Sequence, residues 1–152
     1  MEDPFKLHLI VNDFGEILAY KLTPGNIDDR KSIEQLTQKV FGKIYGDRGY
    51  ISSTLFQKLF EKGIQLITRL RKGMHNKLMS LIDKILLKRR GLIESVNNKL
   101  KNCCQIEHHR HRSHWNFLVN LLAGLVAYTS DPNKPRMNLE NGERAILEQL
   151  VA

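Results

Sequence analysis

The spacing of the apolar residues changes along this chain, and that change restricts the possible folds more than any other feature of the sequence. Residues 5–11 alternate apolar and polar side chains before a short apolar run, and residues 16–22 alternate again, as the two faces of a strand require. Between them, the sequence Asn-Asp-Phe-Gly at residues 12–15 supplies turn residues. The first part of the chain is therefore predicted to form a β-hairpin.

After the hairpin, segments with helical spacing alternate with strand-like segments. Helices and strands that alternate in this way are typical of an α/β layer with a mixed sheet. Apolar residues at helical spacing, Ile33, Leu36 and Val40, place the first helix. The predicted elements are a helix capped by Asp28 or Asp29, a strand at residues 42–47, a helix at 54–61 capped by Ser52 or Ser53, and a strand at 64–68.

The second half of the chain has the spacing of helices only. A long helix is predicted over residues 77–100, with a bend near Gly91, and another over residues 113–128. The tail from residue 133 onward resembles a linker followed by a short amphipathic helix.

Positive charge is concentrated in one segment. The chain carries 24 Lys and Arg against 16 Asp and Glu, a formal charge of +8. Residues 69–112 alone contain 12 Lys and Arg and 3 Asp and Glu, so their net charge is +9. A focused positive field is typical of a surface that binds a polyanion such as nucleic acid. The alternative is a solvated helix face without a partner.

Several protein classes lack support in this sequence. The two cysteines, Cys103 and Cys104, are adjacent, which does not fit a disulfide-stabilised secreted scaffold. The longest apolar stretch, residues 117–128, is interrupted and too short to cross a bilayer, and residues 1–4 do not resemble a signal peptide. No P-loop, α/β-hydrolase or zincin motif occurs. We therefore expect a cytoplasmic protein without a membrane segment.

Two acidic residues are candidates for chemistry. Asp47 lies at the C-terminal end of a predicted strand, the position where ligand groups concentrate in α/β sheets, although a turn-forming role is the more frequent one for an isolated Gly-Asp-Arg-Gly. Glu94 is surrounded by basic residues and, on a helix, shares a face with Arg90 and Lys101. It is either half of an intrahelical ion pair or a metal ligand among phosphate-binding cations.

A run of cysteine, histidine and arginine at residues 103–114 is similar in composition to a zinc site. Adjacent cysteines do not readily face one tetrahedral ion, and no second pair of ligands has the spacing of a zinc finger. Phosphate contacts by Arg110 and Arg112 are therefore the favoured interpretation. Trp115 and Phe117 are predicted to belong to the core.

Several motifs, taken in order, resemble those of bacterial insertion-sequence transposases of the DDE type. The resemblance covers residues 5–135, and the most similar group continues with segments like residues 105–108 and 111–113. The four motifs before them are residues 5–10 (FKLHLI), 22–29 (LTPGNIDD), 46–51 (GDRGYI) and 90–94 (RGLIE).

The resemblance implies an RNase H-like catalytic domain, a mixed sheet with flanking helices, that cuts and joins DNA with two divalent metal ions, Mg²⁺ or Mn²⁺. It makes Asp47 and Glu94 catalytic residues and metal ligands. In these transposases the Glu often lies in the pattern Tyr-x2-Arg-x3-Glu-x6-Lys; Leu87 stands at the Tyr position here, and the Arg and Lys are kept. The residues expected to bind DNA are Arg90, Lys101, Arg69, Arg71, Lys72, Arg110 and Arg112.

The resemblance also implies a third carboxylate, an Asp on a strand that precedes the hairpin. Neither Asp3 nor Asp13 matches that position. We therefore expect a truncated and catalytically impaired transposase that lacks its first strand, with a partial DDE catalytic domain at residues 1–130 and a linker and short tail at 131–152. The alternative is a non-catalytic DNA-binding remnant that inhibits an intact transposase. The expected partners are DNA, as element ends and target, and a second copy of the chain, in the cytoplasm with the nucleoid.

Overall fold

A computed structural model describes residues 5–69, 79–106 and 113–151 of the chain. Short 3-10 turns lie at Arg48–Tyr50 and Arg89–Gly91. In chain order the other elements are β1 (Phe5–Val11), β2 (Ile17–Pro24), α1 (Asp29–Leu36), β3 (Gly42–Gly46), α2 (Ser53–Glu61), β4 (Ile64–Thr68), α3 (Leu81–Lys88), α4 (Leu92–Asn102), α5 (His114–Ser130) and α6 (Asn141–Val151).

The mixed α/β class predicted from the sequence is confirmed. Strands β1 and β2 are hydrogen-bonded neighbours, and the connection at residues 12–16 is too short for a parallel crossover, so they form an antiparallel hairpin. Strands β3 and β4 pair in parallel, with Gly42 opposite Ile64 and Gly46 opposite Thr68. Helix α2 makes the connection between them and packs on β4, which gives a βαβ unit. In the described residues the four strands form two two-stranded sheets.

The chain divides into two compact units. The first contains the described parts of residues 1–10, 18–90 and 138–152, and the second those of residues 11–17 and 91–137.

The first unit has its core between α1, α2 and β4. Leu55 and Leu59 lie one turn apart on α2, and Ile64 and Leu66 lie on the same side of β4; together with Ile33 they form one buried cluster. Spacings of four on a helix and two on a strand place such residues on one face, so each of these elements buries one apolar face, which on α1 includes Ile33 as the sequence pattern indicated.

Side-chain caps set the starts of the helices in this unit. Of the alternatives left open by the sequence, Asp28 caps α1 and Ser52 caps α2. Helix α1 ends at Leu36, so the inclusion of Val40 in this helix was wrong: Thr37 closes the helix, its Oγ1 donating to the carbonyl of Ile33 at 2.8 Å. A hydroxyl that bonds back to the helix in this way favours its end over its continuation.

The long helix predicted at residues 77–100 is two helices, α3 and α4, separated by the 3-10 turn Arg89–Gly91. The helical pattern is therefore interrupted near Gly91, where a bend was predicted. The short helix predicted to follow a linker in the tail from residue 133 onward is confirmed as α6, and the helix at 113–128 as α5, which extends to Ser130.

The second unit packs α4 against α5. Val96 and Leu100 on α4 and Tyr128 on α5 are fully buried. Glycine at position 124 lets the preceding segment approach α5, because a Cβ there would lie only 2.4 Å from Cγ2 of Ile106. The prediction that Trp115 belongs to the core was wrong, since this residue is 77% exposed; the buried face of α5 runs through positions three and four apart that exclude it.

The hairpin turn is fixed inside the second unit. The O–H of Tyr128 donates to the carbonyl of Gly15 at 2.6 Å, and the backbone N–H of Met137 donates to the carbonyl of Asp13 at 2.8 Å. Gly15 has φ of +73°, and a Cβ there would lie 2.0 Å from the carbonyl oxygen of Pro135, so glycine is required both for its backbone conformation and for the close approach. Among the described residues, no helix has the length and apolar character needed to cross a membrane.

Candidate functional site

Asp47 lies directly after β3, at the carboxyl end of the parallel strand pair. Its Oδ1 accepts a hydrogen bond from the backbone N–H of Arg48 at 2.7 Å and caps the 3-10 turn that follows. The turn-forming role considered from the sequence is therefore present. The carboxylate nevertheless stays 63% exposed, so the capping bond leaves it open to a second partner.

That partner is Arg90, the basic residue of the sequence motif around Glu94. Its Nη2 lies 3.4 Å from Oδ1 of Asp47. Arg90 sits in the 3-10 turn after α3, and its side chain is 24% exposed. Two residues separated by more than forty positions in the sequence thus meet at the end of β3, an acid and a cation that the sequence had singled out independently.

Glu94 and Lys101 lie on α4 and both are exposed. A separation of seven residues places them on the same face, two turns apart. Arg90 precedes this helix, so the three residues do not share one continuous helix as predicted. In the part of the chain that the structure describes, Glu94 forms no salt bridge, and the intrahelical ion pair considered from the sequence is not observed. Asp47 belongs to the first unit and Glu94 to the second.

The sequence predictions missed a third acidic residue, Asp83, in the first turn of α3. Its side chain is only 9% exposed. Nζ of Lys43 donates to both carboxylate oxygens, at 2.9 and 3.1 Å, and the O–H of Tyr45 donates to Oδ1 at 2.9 Å. Both donors lie on β3, so this carboxylate attaches α3 to the strand that ends at Asp47.

The protonation of this cluster follows from its bonds. Burial by itself raises the pKa of Asp83, but hydrogen bonds from Lys43, Ser80 and Tyr45 outweigh it and hold that pKa below its usual value. Burial and the bond to the Asp83 carboxylate together raise the pKa of the Tyr45 phenol. The cluster is therefore an ionised carboxylate with a neutral tyrosine and a lysine at neutral pH.

Two local signals in the sequence point to Asp83. The pattern Ser80-x-x-Asp83 marks a helix start, and Oγ of Ser80 does accept from the backbone N–H of Asp83 at 3.1 Å. Lys43 and Tyr45 are two residues apart on a strand and therefore share a face. Neither signal identifies the other as its partner, because the segments are about forty residues apart.

The structure describes only some of the remaining predicted DNA-binding residues. Arg69 follows β4 and is exposed. The other four, Arg71, Lys72, Arg110 and Arg112, lie outside the described residues, as does most of the histidine-rich run considered for zinc.

The acidic residues suit a divalent cation in type. Carboxylate oxygens are the ligands that Mg²⁺ and Mn²⁺ prefer, and Asp47 offers an exposed carboxylate that already attracts a cationic group. Across the described ranges, however, no three residues of the types His, Cys, Asp or Glu come together as a metal site. Asp47 and Glu94 therefore provide two carboxylate ligands of the type that these ions prefer.

Comparison with known proteins gives one match. A family model described as transposase DDE domain matches residues 4–114. No curated protein and no solved structure matches the chain. The matched region contains the βαβ unit, α3, α4 and both candidate acidic residues.

Proposed function

The chain belongs to the family of DDE transposase domains, and on that premise we propose that it takes part in DNA transposition through Asp47 and Glu94. The observation that carries the proposal is the pairing of Asp47 with Arg90 at the carboxyl end of β3. Ligand and reaction sites of open α/β sheets lie at this end of the strands. An acid that can hold a metal and a cation that can hold a phosphate are adjacent there.

The proposed roles follow from the chemistry of each side chain. Asp47 and Glu94 would hold Mg²⁺ or Mn²⁺, which when bound would supply the Lewis-acid chemistry that polarises a phosphodiester and activates the attacking oxygen. Arg90 forms a two-point contact with a phosphate, for which its planar guanidinium is suited. Lys101, on the face of α4 that carries Glu94, contacts a second phosphate as a point charge. The further phosphate contacts proposed along the DNA are Arg69, Arg71, Lys72, Arg110 and Arg112.

The proposed strength of the metal site is low. Family resemblance implies three carboxylates, and this chain supplies two that match, Asp47 and Glu94. Two ions side by side need carboxylates on both sides of the pair, so we expect a single weakly held ion and slow cleavage. Strand transfer, in which the freed 3′ hydroxyl attacks target DNA, is proposed for the reaction of the intact transposase.

The alternative function is binding of DNA without catalysis, which inhibits an intact transposase by competition. It depends on the net charge of +9 at residues 69–112 and does not need either carboxylate. A protein of this kind binds DNA with an affinity that falls steeply as salt is added and that is unchanged by a chelator.

Nicking of a supercoiled plasmid separates the two functions, because it needs no knowledge of the element ends. We expect the chain to convert supercoiled plasmid slowly to open circles in Mn²⁺ or Mg²⁺, and not in EDTA. Asp47→Asn and Glu94→Gln should abolish nicking and retain DNA binding. Asp13→Asn and Glu148→Gln, at exposed positions elsewhere, make the same chemical changes and serve as controls.

Each result has one interpretation. If either variant still nicks the plasmid, the assignment of catalytic residues is wrong. DNA binding without metal-dependent nicking favours the non-catalytic function, and absence of DNA binding contradicts both.

We further propose that the DDE domain comprises residues 1–130 with a tail at 131–152, that the protein acts on element ends and target DNA as a homo-oligomer, and that it works in the cytoplasm with the nucleoid.

A further inference from the structure

Two acidic side chains at the start of α6 form ion pairs with one arginine of the basic segment. Arg89, the residue next to Arg90, donates from Nε to Oε2 of Glu143 and from Nη2 to Oε1 of Glu140, each at 2.9 Å. Nζ of Lys88 lies 3.8 Å from Oε1 of Glu143. Helices α3 and α6 pack together in the first unit, so two cations at the end of α3 are neutralised by one neighbouring segment.

The contact is partly shielded from water. The side chain of Arg89 is 23% exposed and that of Glu143 is 13% exposed. Oε2 of Glu143 also accepts from the backbone N–H of Glu140 at 3.1 Å, which fixes the carboxylate at the start of α6. The bond from Arg89 holds the pKa of Glu143 below its usual value, so the pair is ionised across the neutral range.

The same donors suit a phosphate. A guanidinium binds a carboxylate or a phosphate oxygen through the same parallel N–H groups. Arg89 and Lys88 belong to the segment of net charge +9, directly before Arg90, which faces Asp47. The carboxylates of Glu140 and Glu143 therefore engage donors of the kind that bind phosphate oxygens. Helix α6 lies beyond residues 4–114 matched by the family model, so this contact belongs to the chain's own C-terminal segment.

We propose that Lys88 and Arg89 form a binding site for the DNA phosphate backbone, that Glu140 and Glu143 occupy it in the unbound chain, and that DNA must displace them. This inference rests on the proposed function, since it gives that function a site and an internal competitor. Helix α6 then lowers the affinity for DNA and favours long polyanions, which bind at many points at once, over single phosphate groups.

Fluorescence anisotropy with a short duplex of mixed sequence tests this proposal on the full chain. Removal of the competitor in the Glu140→Gln/Glu143→Gln variant should tighten binding. Each bound phosphate contributes about 0.9 to the salt slope, the fall of log affinity with log salt concentration, and this corresponds to about eightfold in affinity for a tenfold change in salt. We therefore expect affinity to rise about eightfold at about 0.1 M salt if one phosphate is bound in place of the carboxylates. Glu148→Gln, on the exposed side of the same helix, controls for the loss of negative charge.

Combining the two pairs of substitutions identifies the site, because their effects on DNA affinity should not be additive. In the Glu140→Gln/Glu143→Gln background, changing Lys88 and Arg89 to Gln should abolish the increase in affinity and make the salt slope shallower by about 0.9, the value for the one phosphate that is no longer neutralised. If the increase remains without the two cations, a general charge effect is responsible and the proposal is overturned. The same follows if the increase does not exceed that of Glu148→Gln.

Hydrogen exchange measures the displacement of α6 by DNA directly in the wild-type chain. Amide exchange in α6 should become faster when DNA is added, because the helix separates from Arg89. Unchanged exchange in the presence of bound DNA means that α6 stays in place and contradicts the proposal. Absence of DNA binding in every variant contradicts the proposed function as well, whereas binding that is indifferent to Glu140 and Glu143 contradicts only this inference.

Discussion

The Asp83→Asn substitution keeps the size of a side chain and removes the charge that attaches α3 to β3. In the structure, its carboxylate accepts bonds from Lys43 at 2.9 and 3.1 Å and from Tyr45 at 2.9 Å. An asparagine has one acceptor oxygen, and its NH₂ group presents hydrogens to whichever donor it faces. The substitution therefore breaks or weakens both connections without leaving a cavity.

The magnitude follows from the exposure of each donor. The Tyr45 hydroxyl is half-buried and bonds to an ionised oxygen, so its loss costs about 1–2 kcal/mol. Lys43 has a side chain 44% exposed and returns to water when the carboxylate is neutral, so its share is about 0.2–1 kcal/mol. We expect the free energy of unfolding to fall by about 2 kcal/mol, which lowers Tm by about 4–8 °C in a chain of this size.

Denaturant unfolding at several pH values, followed by amide exchange in β3 and β4, measures the effect. Since the folded-state pKa of Asp83 lies below its value in the unfolded chain, its contribution is fully present above about pH 4, the ordinary value for an aspartate, and is lost as the pH falls through the folded pKa. The difference between wild type and Asp83→Asn should therefore be constant near neutrality and shrink in acid. Because Arg90 follows α3, its side-chain N–H exchange should also become faster in the variant.

A matched control is Asp13→Asn, which makes the same chemical change at an exposed turn position where the free energy of unfolding should stay within about 0.5 kcal/mol of wild type. The reasoning is refuted if Asp83→Asn and Asp13→Asn have equal stability. It is also refuted if the destabilisation by Asp83→Asn is the same at pH 3 and pH 7, since the charge would then play no part.

Two further predictions concern the second unit. Gly124→Ala should destabilise the chain by about 1 kcal/mol in a thermal melt, because the strain of a Cβ placed 2.4 Å from a methyl of Ile106, about 1–3 kcal/mol, exceeds the gain of about 1 kcal/mol in helix propensity; a stabilised variant would show that the segment moves away freely. Tyr128→Phe should lower the free energy of unfolding by about 1–3 kcal/mol, since it leaves a buried carbonyl without its donor, whereas Tyr20→Phe at a 52% exposed ring should have little effect in the same assay.

Much of the secondary structure was predictable because its signals are local. The strand at residues 64–68 was predicted with the bounds that β4 has, since alternation and flanking turn residues lie within a few positions. The helix caps Asp28 and Ser52 act on backbone N–H groups two or three residues away. The break near Gly91 followed from a glycine in a helical pattern in the same way.

The errors arose where a distant neighbour decides the outcome. Trp115 was assigned to the core from its apolar character, yet which side of α5 is buried depends on where α4 packs. The ion pair between Asp47 and Arg90 was not predictable from the sequence for the same reason. Glu94 was expected near Arg90 from helical spacing, and the structure instead pairs Arg90 with Asp47, because the helix ends and the turn redirects the arginine.

The sequence by itself determined the alternation of strands and helices, the concentration of positive charge, and the family, since each is a property of residue order alone. Only the tertiary structure decided which charges meet. Asp83 contacts Lys43 forty residues away, and Glu143 contacts Arg89 at a separation of fifty-four. Pairs so distant form only when two elements pack at one angle and register, and packing of that kind is fixed by the whole set of buried side chains rather than by any local pattern.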